Sequence, residues 1–216
     1  MTGVEKPPRF DAAFRARFRD LVLWRRDVRR FRRDPVDDDL ILSLIEIASC
    51  APSVGHSQPW RFVLVEKEER RTAVRASFER ANAQALEGYC GEERGRYARL
   101  KLEGLDRAPV QLAVFADEAT DAGAGLGRRS MPETLRYSVV GAVHTLWLAA
   151  RAEGLGLGWI SILEPEVVTK ALDVPSGWTL VAYLCLGLPE EEHLDPELVR
   201  HGWQERLPVR DLILRR

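Results

Sequence analysis

RYSVVGAVHTLWLAARAEGLGLGWISIL, residues Arg136–Leu163, joins a helix to a strand and decides what kind of fold this chain can make. The helix is predicted over Pro132–Glu153, with Glu133 in its first turn and apolar residues nearly all round from Val139 to Ala150. A surface helix keeps a broad polar face, so this one is expected at the centre of the molecule or at an interface. Gly154 ends it, and Gly156 and Gly158 lead into a strand over Trp159–Leu163. These glycines follow a helix and precede a strand, the reverse of a dinucleotide-binding turn, so they imply close backbone approach and not a Rossmann site.

Outward from that unit, Arg61–Glu66 (RFVLVE), Pro109–Ala116 (PVQLAVFA) and Thr179–Gly187 are predicted strands, and Pro165–Leu172 a short helix. A helix is expected over Pro35–Cys50, capped by Asp34, with Leu40, Ile41, Leu44, Ile45 and Ile47 as its apolar face. Residues 10–33 place Phe10, Phe14, Phe18, Leu21, Val22 and Val28 at helical spacing, which predicts a packed arm with one buried stripe. Residues 67–107 predict one or two exposed charged helices with a mobile join near Gly88, Gly91 and Gly95; a lid could sit here, above all at Tyr97–Gly104. Asp117–Ser130, with Gly123, Gly125 and Gly127, is expected to be a flexible loop. Helices and strands alternate irregularly, without a repeat or a linker, so a single α+β domain over 1–216 is the economical expectation, with an N-terminal arm (1–20), a candidate lid (67–107) and a C-terminal extension (189–216) that packs on something, such as a second subunit.

Charge and composition remove several functions. Thirty-two Lys and Arg against 33 Asp and Glu leave a net charge of -1, which offers no overall basic field to nucleic acid. The most apolar runs, Ser138–Ala150 and Thr179–Leu188, are shorter than the roughly 20 residues a bilayer demands, and MTGVEKPPRF lacks a signal peptide's apolar segment, so no membrane partner and a cytoplasmic address are expected. Cys50, Cys90 and Cys185 form no CxxC pair, and His56, His144, His193 and His201 have no ligand spacing, so no metal site is predicted.

Two stretches can carry chemistry. In Arg25-Arg26-Asp27-Val28-Arg29-Arg30, several guanidinium groups with one embedded carboxylate offer a bidentate grip on an anionic group such as phosphate; the plain alternative is a solvated charged face. Asp34, Asp37, Asp38 and Asp39 follow at once and argue against nucleic acid. The loop Ala51–Trp60 (APSVGHSQPW) brings hydroxyls, a side-chain amide and a flat aromatic before a strand, groups that can bond the edge of a heterocycle and pack on its ring; its prolines and glycine also explain it as an ordinary turn, with Trp60 in the core.

The ordered set RRDVRRF, APSVGHSQPWRF, RYSVVGAVHTLWLAARAEGLGLGWISIL and GWQERLP resembles the FMN-binding nitroreductase-like flavoproteins from about residue 20 to the C-terminus. Members of that family usually carry a small hydroxyl residue where this chain has Asp27, and the carboxylate resembles the branch that consumes reduced FMN as a substrate. The resemblance implies an α+β homodimer, a mixed central sheet surrounded by helices, and two FMN sites built from both chains. It implies that Arg25, Arg26 and Arg29 hold the phosphate, ribityl chain or polar edge of FMN, joined by Arg206, with Arg200 a further basic candidate. Ser53, Gln58 and Trp60 would line one side of the ring, and Trp159, Ile160 and Ser161 would approach the other. The implied reaction uses molecular oxygen to break reduced FMN into 5,6-dimethylbenzimidazole, the lower ligand of vitamin B12, and erythrose 4-phosphate. The reduced flavin would come from a separate reductase or from free reduced FMN. Asp27 is expected to serve as acid or base, kept ionised by its arginines unless they make it a structural clamp, and Ser161 to orient the flavin. The rival functions are an NAD(P)H-dependent nitroreductase or quinone reductase, a flavin-storing module, and a non-catalytic polyanion-binding protein.

Overall fold

The structure, a computed structural model, describes residues 7–98, 100 and 104–216. Its centre is the strand β2 (Val110–Asp117), which alternates two apolar sets with period two. Leu112, Val114 and Ala116 face one core together with Ala182, Leu184 and Leu186 of β4 (Trp178–Gly187), while Ala113 and Phe115 face a second core with Tyr183 and Cys185. Both faces of the two strands are thus covered. The strands β1 (Trp60–Leu64) and β3 (Gly156–Ile160) flank them in the order β1-β2-β4-β3. Among the described residues every ladder between these strands is antiparallel, and parallel pairing enters only at the isolated Asp27–Leu157 bridge beside β3.

The helices cover the sheet in two layers. On one side, α6 (Thr134–Ala152) buries Val139, Val143 and Leu146 against the sheet and against α2 (Asp38–Ala48). On the other lie α3 (Glu68–Glu87), α5 (Gly104–Arg107) and α7 (Pro165–Leu172), with α4 (Gly91–Ala98) beside α3. The remaining helices are α1 (Ala12–Trp24) and α8 (Glu197–Arg200). The charged 67–107 stretch therefore holds three helices, and Val74, Ser77 and Tyr97 are buried within it. Half of the predicted lid core Tyr97–Gly104, residue 99 and residues 101–103, lies outside the described residues.

Three local expectations change. The cap of α2 is Asp37, whose carboxylate accepts the Asp39 N–H at 2.8 Å; Asp34 instead pairs with Arg32, so the helix starts later than Pro35. The arm is helical, but Phe10, Phe14 and Phe18 are all exposed and α1 buries no residue. Its stripe faces away from this chain's own core. The Asp117–Ser130 segment, expected to be flexible, packs as tight turns on the Ala51–Trp60 loop, where a Cβ on Gly123 would lie 2.5 Å from the Gly55 carbonyl oxygen.

Candidate active site

The helix α1 stops because Arg25 turns extended, and residues 25–31 then run along the outer edge of β3. Asp27 pairs with Leu157, the Val28 N–H donates to the Leu157 carbonyl at 3.0 Å, and Phe31 bridges to Pro189. Only glycine permits this approach: a Cβ on Gly158 would sit 2.1 Å from the Val28 carbonyl oxygen, and one on Gly156 2.7 Å from the Val28 side chain. The GLGLG run thus admits a backbone of its own chain and fixes where Asp27 points.

Asp27 Oδ1 accepts the Trp159 N–H at 2.9 Å, and Arg29 Nε lies 3.7 Å from Oδ2. On the other side of Arg29, Glu197 Oε2 is 3.8 Å away, and Glu197 also faces Arg30 (3.9 Å) and His201 (3.6 Å). Arg29 Nε and Nη1 are buried and make no hydrogen bond to any described residue. Loss of water around the Asp27 carboxyl pushes its pKa above the ordinary carboxylate range, and Glu197 adds to this, while the Trp159 N–H, Arg29 and Arg25 pull the other way. The arginines therefore do not set the direction of the shift: desolvation outweighs the guanidinium charges. The effect is moderated by solvent, since 42% of the side chain is accessible.

The cations divide by role. The Arg25 guanidinium lies over the Trp147 ring, 4.7 Å from its centroid, and is held below its ordinary pKa by burial and by Arg206, against the pull of Asp27. Arg26 is lowered by burial and by Arg25 and Arg206, but its Nε donates to the Leu194 carbonyl at 2.8 Å and its other N–H groups reach the Leu23, Arg25 and Leu194 carbonyls. Arg26 therefore ties down the C-terminal segment. Arg200 lines the same cleft as Asp27 and Arg29, and Arg206 is exposed. Converging cations and buried N–H groups without acceptors fit an anionic, hydrogen-bonding ligand such as FMN.

The other predicted contacts lie elsewhere. Ser53 Oγ accepts the Gln58 N–H at 3.0 Å and so shapes the loop, where Gln58 is exposed at a φ of +46°. Trp60 is 7% exposed and packed in the core, so its ring is no ligand wall within this chain. Strand alternation likewise separates Trp159, whose ring approaches Trp147 at 6.4 Å, from Ile160, which is buried in the opposite core and offers only its main chain. Ser161 is exposed one residue past the strand. The loop is tied to α6 by the Val54 N–H donating to Ser138 Oγ, the arginine segment by Trp147 Nε1 donating to the Arg26 carbonyl. At about 1.5 Å per residue those two stations are about 14 Å apart along the helix. One chain does not bring Ser53 and Gln58 to Arg25 and Asp27.

Comparison with known proteins bears directly on this cleft. The model of the nitroreductase family matches residues 22–188. The chain belongs to the nitroreductase family. Within the family, it is 59% identical over 201 residues to 5,6-dimethylbenzimidazole synthase of Rhodospirillum rubrum, covering 93% of this chain and 95% of that protein. It is 49% identical over 200 residues to 5,6-dimethylbenzimidazole synthase of Rhodobacter capsulatus, covering 93% and 97%. A solved structure of oxidised iodotyrosine deiodinase bound to FMN and 3-iodo-L-tyrosine superposes with a TM-score of 0.69 at 28% identity, over 82% of this chain and 91% of that one. The family match includes the arginine segment, the loop and GLGLG, and ends before Glu197, Arg200 and Arg206. Glu197 and Trp147 are the site residues that the sequence did not single out. Glu197 looks like one more acid in a polar tail, and Trp147 like one more apolar residue of α6; only folding sets them against arginines 168 and 122 positions away. No described group of three or more His, Cys, Asp or Glu could hold a metal ion, and no described helix is long and apolar enough to cross a membrane.

Proposed function

We propose that this chain is a 5,6-dimethylbenzimidazole synthase, with reduced FMN as substrate and molecular oxygen as co-substrate. The observation that carries it is the 59% identity to such an enzyme across nearly the whole chain, with Asp27 lining the same cleft as Arg26, Arg29, Arg30 and Arg200. Bound reduced FMN would supply both the electrons that reduce oxygen and the carbon skeleton of the benzimidazole. The chain's residues bind, orient and move protons around it. Arg25 and Arg206 are assigned to the phosphate, and the two buried Arg29 N–H groups without acceptors to the flavin's polar edge or the ribityl chain. Asp27, whose pKa is raised by desolvation, is assigned to proton transfer beside the ribityl chain, held in place by the Trp159 N–H. Ser161 is assigned to orienting the ring.

The site is complete only in a homodimer. Supporting this are the separation of the Ser53–Gln58 loop from the arginines along α6, the exposed Phe10, Phe14 and Phe18 of the N-terminal arm, and the exposed Leu207, Val209, Leu212 and Ile213 of the tail. In such a dimer the loop of one chain would meet the arginine cleft of the other.

The test is anaerobic loading with chemically reduced FMN, admission of oxygen and mass spectrometry of the small molecules. 5,6-Dimethylbenzimidazole is the expected product. Intact oxidised FMN alone would sink the fragmentation reading and turn attention to NAD(P)H-dependent nitro or quinone reduction.

A further inference from the structure

Where α1 gives way to the extended arginine segment, the Arg26 carbonyl belongs to neither a helix nor a ladder, and the Trp147 indole N–H satisfies it at 3.0 Å. The same indole carries the Arg25 guanidinium over its face at 4.7 Å. It also neighbours the Trp159 ring, whose backbone N–H holds Asp27. One side chain of α6 therefore fixes the backbone of Arg26 and the head group of Arg25 together.

We propose that Trp147 is the positioning residue of the phosphate grip, holding Arg25 so that the chain selects a flavin bearing a phosphate over one without it. This rests on the assignment of Arg25 to the FMN phosphate. The physical reason is that arginine is rich in rotamers and loses freedom when it binds an anion. A ring under the guanidinium restricts it beforehand and leaves the in-plane N–H edge for phosphate oxygens. A carboxylate would also hold Arg25, but it would neutralise the charge that the phosphate needs; an indole holds it and leaves the charge in place.

The experiment measures dissociation constants of oxidised FMN and of riboflavin for the wild type, Arg25→Ala, Trp147→Leu and Trp147→Phe, with circular dichroism confirming that each folds. Arg25→Ala is expected to abolish most of the preference for FMN. Trp147→Leu is expected to lower that preference by about 3–10-fold, the range for loss of a partly desolvated cation–π contact, while riboflavin binds within about 2-fold of wild type. Trp147→Phe keeps a ring without the N–H and should fall between the two, and it remains informative if the leucine variant does not fold. Equal weakening of FMN and riboflavin in the Trp147 variants would mean a merely structural tryptophan and would overturn the proposal, as would an unchanged preference in Trp147→Leu. An unchanged preference in Arg25→Ala would instead sink the phosphate assignment, and the proposal with it.

Discussion

Asp27 stands in a position where desolvation makes its charge costly, and that sets its behaviour with pH. Its pKa is raised in the folded chain, so in the absence of ligand the ionised form is disfavoured there relative to the unfolded chain. This penalty is absent below the ordinary carboxylate value and grows as pH rises through the raised one. Asn can still accept the Trp159 N–H through its amide oxygen. Asp27→Asn should therefore raise Tm slightly at pH 7, by about 1–3 °C given the screening at a partly exposed side chain, and leave Tm nearly unchanged at pH 3. The same variant should bind FMN and form at least about 100-fold less 5,6-dimethylbenzimidazole, the usual scale for a lost proton-transfer group. A variant that is both less stable at pH 7 and fully active would show Asp27 to be a clamp. Glu197 acts on the same group from across Arg29. Glu197→Gln removes a negative neighbour that raises Asp27, so the limb of the pH profile for product formation that Asp27 sets should move to lower pH. An unmoved limb would take Glu197 out of the electrostatics of the site.

At the scale of elements, the unit of α6, GLGLG and β3 positions the arginine segment, and it was also the most legible part of the sequence. Its apolar helix and its glycines before a strand carry period and punctuation that survive folding. Gly158→Ala tests the unit directly: a methyl group 2.1 Å from the Val28 carbonyl oxygen must push residues 25–31 off β3. It should cost about 1–3 kcal/mol in chemical denaturation and weaken FMN binding by at least about 10-fold, whereas Gly154→Ala, at a positive φ but with open space around it, should lose stability and keep binding. Equal binding by both variants would mean that the glycines serve the fold alone. The elements that the sequence described less well share one cause, namely partners distant in the chain. The cap of α2 is the exception and is decided locally: Asp34 and Asp37 both precede apolar helical spacing, and Arg32, two residues earlier, captures the first. Trp60 and Ile160 were candidate flavin contacts by their place in motifs, and strand alternation together with the two cores turned their side chains inward. Arg26 was one more phosphate candidate until the Leu194 carbonyl, 168 residues away, claimed it.

For the whole molecule, the proposed homodimer would explain both the exposed stripe of the N-terminal arm and the separation of the two site halves. Periodicity announces an apolar stripe but not what covers it, so Phe10, Phe14 and Phe18 read as buried and are exposed in the single chain. A second copy, as proposed, would account for this and for the distance between the loop and the arginines, and it makes a quantitative demand on mixing. A chain carrying Arg25→Ala and a chain carrying Ser53→Ala with Gln58→Ala should each form homodimers with little activity, because each such dimer has two defective sites. After the two are unfolded together and refolded in equal amounts, half of the dimers are mixed. Each mixed dimer holds one site that takes its arginine and its loop from the unmutated halves of the two chains. Product formation should therefore recover to about one quarter of wild type, the product of those two halves for a closed two-fold dimer. If the arginines and the loop of a single chain served one site, no mixture of these variants would contain an intact site, and activity would stay at the level of the separate proteins.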